Sequence, residues 1–174
     1  MTIHSDHPFA TPEGERDAAR RLRGRVGGQV SLWTAGTGGG RVGLTVSSWL
    51  VAVSEPSYVL GLLDPDSDLG EALRAGPGAR CVVQLLEWGH RDLAEKFAGQ
   101  MPAPGGLFAA DEWHETPHGP RLATAPTWAG CVVHDVRELG WSLEVTCRID
   151  EAVVGAEDAP LQHRRGRYQR PDHA

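Results

Sequence analysis

The sequence predicts a mainly β fold, a β-barrel into which short helices are inserted, α+β by content. Many short stretches are apolar or alternate apolar with polar residues, and turns rich in Gly or Pro separate them. A parallel sheet would need a helix at nearly every crossover, and helical patterns are too few for that. The length of 174 residues, with 40% hydrophobic and 23% charged residues, suits one globular domain with a real core.

We expect a mobile leader over residues 1–12, a single domain over residues 13–170 and a tail over residues 171–174. Helix formers after an acidic first turn predict a helix in "PEGERDAARRLRGR". The next stretch, "QVSLWTAG", alternates as a strand does. A glycine-rich turn then joins it to the following strand, so that residues 29–53 are predicted to form a hairpin.

The second strand of that hairpin, "GLTVSSWLVAV", changes character along its length. Thr45, Ser47 and Ser48 place three hydroxyls within four residues, whereas the stretch from Trp49 onward is apolar. Successive side chains of a strand point to opposite faces, so Thr45 and Ser47 are expected to share one face. This strand is therefore predicted to face the core at one end and something polar at the other.

The remainder of the chain alternates strands with short helices. Ser67 or Asp66 is predicted to be the N-cap of a helix in "DSDLGEALRAG", and residues 100–126, rich in Pro and Gly, are predicted to be a long loop. The other predicted elements are the strands "SYVLGLLD", "ARCVVQLLE", "TWAGCVVHDVREL", "WSLEVTCRIDEAVVG" and "LQHRRGRY", and the helix "HRDLAEKFAG".

Charge and cysteine usage narrow the class of protein. The net charge of −6 disfavours sequence-independent nucleic-acid binding, which needs a dominant basic field. Cys81, Cys131 and Cys147 are far apart, odd in number and set in apolar strands, so we expect reduced, buried cysteines and a cytoplasmic protein. No stretch resembles a signal peptide or reaches membrane-spanning length, so no membrane partner is expected.

Three chemical motifs fail when their context is considered. Residues 38–43 formally satisfy G-x-G-x-x-G, but a strand pattern rather than a helix follows them. The alternating aspartates of residues 64–68 lack the glycine and glutamate of a calcium loop. His114 and His118 lie in a Pro-bounded loop without a third spaced ligand, so no metal site is predicted.

Three segments, taken in order, carry a family resemblance. "GLTVSSWLVAVSEPSYVLGLLD" has a Gly, a Thr-x-Ser-Ser cluster, an apolar stretch, and then Ser-x-x-Pro before a strand. "SDLGEALRAGPGARCVVQLLEWGHRDLAEKFAG" has a short helix, an apolar strand and a second helix ending in Phe-Ala-Gly, and "PLQHRRGRY" closes the chain. Together these segments, within residues 20–170, resemble the flavin reductase family. The resemblance implies an FMN-binding split β-barrel of Greek-key type.

The resemblance also implies where the ligands lie. The flavin would run along the polar end of the second hairpin strand, where hydroxyls and backbone N–H groups meet its ring and phosphate side. The residues assigned to the flavin are Thr45, Val46, Ser47, Ser48, Asp64, Ser67 and Trp141. The residues assigned to the nicotinamide side are His163, Arg164, Arg165 and Tyr168, with the two arginines pairing with phosphates. No catalytic residue is assigned.

The phosphate side of the expected flavin site departs from the family pattern. Ser67 is kept, but Asp68 and Leu69 stand where a cation and a threonine would fall. Carboxylates beside a phosphate repel it, so either backbone N–H groups near Ser67 hold the phosphate alone or the ligand differs. Arg41 and Arg74 are the candidates for supplying the missing positive charge.

A second departure concerns Trp141. The sequence Leu139-Gly140-Trp141 stands where the family often carries Gly-Asp-His near the flavin and the nicotinamide. A tryptophan can stack on a ring, but it cannot transfer a proton as histidine can. Because hydride transfer to flavin N5 asks little acid–base chemistry of the protein, the loss of histidine is compatible with activity.

The leading hypothesis is an NAD(P)H:flavin oxidoreductase that binds FMN, with FAD possible, and takes a hydride from NADH or NADPH. By resemblance it would be a homodimer and would supply reduced flavin to a separate flavin-dependent monooxygenase. The alternative is a flavin- or deazaflavin-binding protein, such as an electron carrier of the same fold, without free-flavin reductase activity. A third hypothesis is a non-enzymatic dimerisation module that has lost the site.

Overall fold

The computed structural model describes residues 18–156 and 159–170, and within these ranges short strands outnumber helices. The predicted leader, the tail and the predicted start of the domain at residue 13 lie outside the described residues. The helices are α1 (Ala18–Arg25), α2 (Asp68–Leu73) and α3 (Arg91–Phe97). The strands are β1 (Gly28–Gln29), β2 (Ser31–Ala35), β3 (Val42–Val46), β4 (Trp49–Ala52), β5 (Tyr58–Leu63), β6 (Arg80–Leu85), β7 (Trp113–Thr116), β8 (Gly119–Leu122), β9 (Trp128–Leu139), β10 (Ser142–Val153), β11 (Gln162–Arg164) and β12 (Arg167–Gln169).

The main sheet confirms the predicted fold class. Its seven antiparallel strands follow the order β3-β2-β6-β9-β10-β5-β4, in which two pairs of successive strands, β3/β4 and β5/β6, are not neighbours. β3 and β4 are consecutive in the chain, yet they occupy opposite edges of the sheet. The two residues between them, Ser47 and Ser48, therefore cross from one edge to the other. The sheet curls so that its edges approach, and the result is a split barrel.

This crossing corrects the prediction for residues 43–53. The predicted hairpin forms between β2 and β3, with Ser31 opposite Val46. The second strand, however, ends at Val46, and β4 begins at Trp49 and pairs with β5 instead. A single alternating strand would place Thr45 and Ser47 on one face, but the chain leaves the ladder between them. The hydroxyl-rich stretch lies at the edge crossing rather than inside a strand.

Two apolar clusters lie on either side of β2. The cluster inside the barrel includes Trp33 and the three cysteines, all fully buried and free of disulfides, as predicted. Cys81 Sγ lies 3.8 Å from Cys147 Sγ. The neighbouring thiols of Cys131 and Cys147, together with burial, raise the pKa of Cys81, so the thiol stays protonated at neutral pH. The second cluster packs α3 against the outside of the sheet.

The long loop predicted over residues 100–126 contains a hairpin of its own. β7 and β8 pair, and Leu122 N–H donates to the buried Gln84 Oε1 at 2.7 Å. At the hairpin's turn, the buried His118 places Nε2 3.3 Å from Asp150 Oδ2. Asp150 is therefore the hydrogen-bond partner of His118 Nε2. None of the described clusters of His, Cys, Asp and Glu forms a metal-binding group.

The short helices have clear ends. α2 begins after Ser67, whose hydroxyl accepts a hydrogen bond from Gly70 N–H at 3.0 Å, as predicted for the N-cap. Of the helices in the described ranges, none is long and apolar enough to cross a membrane. α2 packs against β2 and β3, and α3 packs against β3. Both helices therefore border the edge crossing.

Candidate functional site

The edge crossing and the residue pair before it, residues 45–48, form what we call the seam segment. Its first half, Thr45 and Val46, is held by hydrogen bonds and packing within the protein. Thr45 Oγ1 donates to the carbonyl of Ala94 in α3 at 2.7 Å, and Val46 is buried in the barrel core. The Val46 carbonyl accepts a hydrogen bond from Ser31 Oγ at 2.8 Å. These contacts hold the seam segment in place from both sides.

The second half of the seam segment keeps its donors free. Within the described ranges, the hydroxyls and backbone N–H groups of Ser47 and Ser48 make no hydrogen bond. The Ser48 carbonyl, by contrast, accepts from Leu62 N–H at 2.9 Å, which ties the segment to β5. Both serines are half-buried. Four neutral donors thus stand on a fixed backbone without an internal partner, and such a set can serve a ligand.

Residues 64–68, which follow β5, form an acidic loop beside the seam segment. Asp64 is two residues beyond Leu62 and is exposed. Asp64 Oδ1 accepts a hydrogen bond from Asp66 N–H at 2.9 Å, and Ser67 Oγ donates to the Asp64 carbonyl at 2.7 Å. The Ser67 hydroxyl is therefore occupied twice, as donor here and as the cap of α2. The loop presents exposed carboxylates and no cation of its own.

Arg41 and Arg74, the two candidates for binding the flavin phosphate, pair with glutamates instead. Arg41 pairs with Glu115 of β7, and its guanidinium also lies over the Phe108 ring. Arg74, at the opposite end of α2 from the acidic loop, pairs with Glu138 Oε1 at 3.1 Å. Neither supplies the positive charge that Asp68 replaces in the family pattern.

On its other side the seam segment lies near β1, which pairs with the closing hairpin, residues 162–169 (β11 and β12). Gly28 of β1 pairs with His163, and a side chain at Gly28 would come within 3.5 Å of the Ser47 carbonyl. His163 and Tyr168 face each other across the hairpin, with ring centroids 5.7 Å apart in an edge-to-face arrangement. The aromatic pair and the seam segment therefore lie on either side of β1.

Both rings of this pair are uncharged at neutral pH. Burial, and to a lesser degree the positive charge of Arg23, lowers the pKa of His163. Burial and the negative charge of Glu95 in α3 raise the pKa of Tyr168 to about 12. A neutral imidazole and a protonated phenol can contact an aromatic ligand and offer it hydrogen bonds without competing for its charge.

The other two predicted nicotinamide-side residues, Arg164 and Arg165, are exposed at the turn of the closing hairpin. Trp141 is not brought to this group. It is 74% exposed at the tip of the β9–β10 hairpin, and the Arg20 guanidinium of α1 lies 5.1 Å from its ring centroid. The assignment of these residues to ligands stays a prediction.

Sequence reasoning missed the contribution of α3 and α1. In α3, the Ala94 carbonyl accepts the hydrogen bond of Thr45, and the charge of Glu95 contributes to the raised pKa of Tyr168. In α1, the charge of Arg23 contributes to the lowered pKa of His163. A backbone carbonyl carries no sequence signal, so Ala94 could not have been found. The arginine-rich composition of α1 was a usable signal, but its proximity to the closing hairpin depends on the tertiary fold.

Comparison of the sequence with known protein families identifies the family of this chain. A family model described as "Flavin reductase like domain" matches residues 23–172. The chain belongs to this family. The match confirms the resemblance, the oxidoreductase class and the flavin and nicotinamide cofactors that the resemblance implied.

Individual relatives agree with the assignment. The FMN reductase (NADH) RutF of Ancylobacter novellus is 34% identical over 148 residues, which cover 84% of this chain and 72% of that protein. The reductase component of a 4-nitrophenol 4-monooxygenase/4-nitrocatechol 2-monooxygenase from Rhodococcus opacus is 30% identical over 150 residues, covering 86% of this chain and 77% of that protein. The solved structure of the Streptomyces globisporus NADH:FAD oxidoreductase SgcE6 has a TM-score of 0.78 at 25% identity, covering 94% and 98% of the two chains.

The residues of this flavin reductase-like chain fit one part of a flavin better than the other. The free neutral donors of Ser47 and Ser48 match the polar edge of an isoalloxazine ring, and Val46 closes the core beneath them. The carboxylates of the acidic loop do not match a phosphate. The site is thus suited to the ring, while the phosphate end lacks a cation among the described residues nearby.

Proposed function

We propose that this chain reduces flavin with a nicotinamide dinucleotide at the seam segment. The observation that carries the proposal is the position of two groups on either side of the short strand β1. The free donors of Ser47 and Ser48 lie on one side, and the uncharged rings of His163 and Tyr168 lie on the other. The flavin would lie along the seam segment, and the nicotinamide would lie between it and the closing hairpin. The bound flavin supplies the hydride acceptor.

The protein residues have positioning roles in this proposal. Ser47 and Ser48 would donate to the ring's polar edge, and Thr45, held by Ala94, fixes the direction of the seam segment. His163 and Tyr168 would pack against the nicotinamide and keep water out. None of these residues has to move a proton, because hydride transfer depends mainly on orientation and exclusion of water. The absence of histidine at position 141 then costs little.

The flavin and its fate follow from the relatives. Proteins named FMN reductase (NADH) make FMN the first candidate, with FAD the second because SgcE6 is named as an FAD oxidoreductase. The Rhodococcus opacus relative is the reductase component of a monooxygenase system. We infer that this chain likewise hands reduced flavin to a separate oxygenase.

A second copy of the chain is part of the proposal. β4 is an edge strand with apolar side chains open to solvent: Leu50 is 73% exposed, and Val53, directly after the strand, is 89% exposed. An apolar edge strand left uncovered invites non-specific pairing. A homodimer would cover this edge next to the seam segment. Light scattering after size-exclusion chromatography tests it: a dimer that Val53→Lys converts to a monomer supports the assignment, and a wild-type monomer contradicts it.

The first experiment is a titration of the protein with FMN, followed by flavin fluorescence, and then an assay of NADH and NADPH oxidation in the same cuvette. Binding with flavin-dependent oxidation supports the reductase. The Ser47→Ala/Ser48→Ala double variant should weaken FMN binding several-fold, because each lost hydrogen bond contributes about 1 kcal/mol. Ser57→Ala is a matched control, because Ser57 lies in the turn before β5 and its hydroxyl, among the described residues, bonds to the backbone of Ser54.

Two outcomes would contradict the reductase. Binding of FMN without nucleotide oxidation would indicate the alternative, an electron carrier of the same fold. Absence of FMN and FAD binding, with binding of a deazaflavin, would mean that the acidic loop selects a different ligand. The acidic loop is the observation that favours this second candidate.

A further inference from the structure

Positive charge is concentrated on one side of this acidic protein. Six arginines of α1 and of the segment around the closing hairpin are exposed and make no ion pair or side-chain hydrogen bond within residues 18–156 and 159–170. We call them the arginine cluster: Arg21, Arg25, Arg164, Arg165, Arg167 and Arg170. Elsewhere, Arg41, Arg74 and Arg137 are each paired with a glutamate. Unpaired guanidinium groups gathered in one place indicate an anionic ligand.

Backbone contacts bring the two parts of the cluster together. Arg165 N–H donates to the Gly24 carbonyl at the end of α1 at 2.7 Å. The Arg164 side chain packs against Gly27, where a Cβ would lie only 3.2 Å from Arg164 Cγ. The backbone that carries Arg164 and Arg165 is therefore fixed against the end of α1, where Arg25 also lies.

Arg165 adopts an unusual backbone conformation for its residue type. Its φ of 55° is the only positive value of a non-glycine residue in the described ranges, and Gly166 follows with φ 75°. A two-residue hairpin turn with two positive φ angles is normally made by Asn or Asp followed by Gly. An arginine there carries a conformational cost of about 1 kcal/mol. Strain of this kind is a pointer to function, here to the guanidinium at the turn.

The cluster stands next to the nicotinamide position of the proposed function. His163 precedes Arg164 in β11, and the Arg23 charge is close enough to His163 to influence its pKa. A dinucleotide bound with its nicotinamide at His163 would extend its adenosine half away from the flavin, over the closing hairpin or α1. The pyrophosphate is common to NADH and NADPH, but only NADPH carries a further phosphate, with nearly two negative charges, on the adenosine ribose.

We propose that Arg164 and Arg165, supported by Arg21 and Arg25, bind the 2′-phosphate of NADPH and make NADPH the preferred electron donor. The inference rests on the proposed function and adds the choice of donor. It sets this chain apart from the relatives whose names specify NADH. Guanidinium groups suit the role because they bind phosphate oxygens in a bidentate manner and stay charged at all physiological pH values.

The test measures binding without turnover as well as activity. Isothermal titration calorimetry would compare adenosine 2′,5′-bisphosphate with adenosine 5′-monophosphate, and steady-state assays with FMN would compare NADPH with NADH. We expect the bisphosphate to bind at least tenfold more tightly and NADPH to have the larger kcat/KM. Each difference should shrink as the ionic strength rises.

Substitutions of Arg164 and Arg165 test whether these two residues cause the preference for NADPH. Arg164→Gln with Arg165→Asn should lower kcat/KM for NADPH at least tenfold and leave that for NADH within about twofold, because only the 2′-phosphate loses its partners. Asparagine tolerates the left-handed turn, so the hairpin keeps its fold. Arg91→Gln is the matched control, since it removes one exposed arginine at the start of α3, outside the cluster.

Three results would overturn the inference. Equal binding of the two adenosine nucleotides, or preference for NADH, would refute the 2′-phosphate site while leaving the reductase intact. An equal loss for NADPH and NADH in the double variant would assign the arginines to the shared pyrophosphate. Normal nucleotide kinetics in the double variant, with weakened binding of an acidic oxygenase, would assign the cluster to a protein partner. Failure of the proposed function is distinct: FMN binds, but neither nucleotide is oxidised.

Discussion

The acidic loop and the closing hairpin flank the same seam segment, yet they carry opposite charge. The acidic loop, residues 64–68, presents three aspartates and uses its serine to cap α2. The arginine cluster, on α1 and around the closing hairpin, makes no ion pair within the residues that the structure describes. Both ligands proposed for the site are anionic. The arginines therefore attract the nucleotide, whereas the aspartates repel the flavin phosphate. In our proposal, the nucleotide end recognises charge, and the flavin end relies on neutral hydrogen bonds.

This asymmetry suits a protein that releases reduced flavin to a partner. A flavin phosphate held by a strong cation would leave slowly, whereas one that faces carboxylates is bound mainly through its ring. Weak retention of the phosphate and firm recognition of the nucleotide would make flavin a substrate that passes through. The predictions below test the two sides separately, beginning with the largest expected effect.

Reversing the charge of the closing hairpin should have the largest effect. Arg164→Glu with Arg165→Glu replaces attraction of the 2′-phosphate by repulsion, so kcat/KM for NADPH should fall about 100-fold or more. NADH should lose less, because it has no 2′-phosphate for the new carboxylates to repel. Flavin affinity, followed by fluorescence, should stay within about twofold. A comparable loss of flavin affinity would show that the two sides are not independent.

Changing the sign of the acidic loop should have a smaller effect in the opposite direction. Asp68→Arg removes a carboxylate near the expected phosphate and adds a cation, so FMN should bind about tenfold more tightly, equivalent to about 1.4 kcal/mol. Riboflavin has no phosphate, and its affinity should not change. A cation in the first turn of α2 costs up to about 1 kcal/mol of stability.

Asp92→Arg provides the control for that cost. Asp92 occupies the first turn of α3, so the variant reproduces the helix-end penalty away from the acidic loop. It should leave the affinities for both flavins unchanged. If Asp68→Arg tightened riboflavin binding as much as FMN binding, the acidic loop would face the ring rather than the phosphate, and the comparison between the two sides would need to be redrawn.

The elements predicted correctly are those set by local chemistry. Ser67 caps α2 because a serine three residues before Gly70 can accept its N–H, and this depends on a few consecutive residues. The Gly-rich turn between β2 and β3 has a similarly local cause. The order of family segments also identified the split barrel, since that order reflects the topology of the sheet.

The elements predicted wrongly depend on distant partners. Residues 43–53 read as one strand, but the ladder breaks at Ser47 because β3 and β4 belong to opposite edges of the sheet. The β7–β8 hairpin was hidden because Pro120 within a strand normally argues against one. Here the Thr34 hydroxyl donates to the Pro120 carbonyl, which holds the strand in place.

Two serines allow a comparison of a structural hydroxyl with a ligand-binding one. Ser67→Ala removes the cap of α2 and should destabilise the fold by about 1 kcal/mol, which lowers Tm by about 2–4 °C. Ser47→Ala removes a hydroxyl without an internal partner and should change stability by less than about 0.5 kcal/mol, yet weaken FMN binding. Thermal unfolding and flavin titration of both variants check this. A stability loss in Ser47→Ala equal to that in Ser67→Ala would argue against a free donor.

The smallest effect concerns the packing of the closing hairpin itself. The arginine cluster alone would lower the pKa of a nearby phenol, yet burial and Glu95 raise the pKa of Tyr168 to about 12. The Tyr168 side chain packs against the apolar cluster that contains α3, whereas the arginines of the cluster are exposed. Because an unfolded tyrosine ionises near pH 10, the contribution of Tyr168 to stability is present below about pH 10 and is lost as pH rises through about 12. Alkaline titration of tyrosinate absorbance should show a late step that Tyr168→Phe removes, since Tyr58 is the other of the two tyrosines. Ionisation of Tyr168 near pH 10 would place its ring in solvent with the arginines, and the neutral aromatic pair beside the seam segment would then be lost.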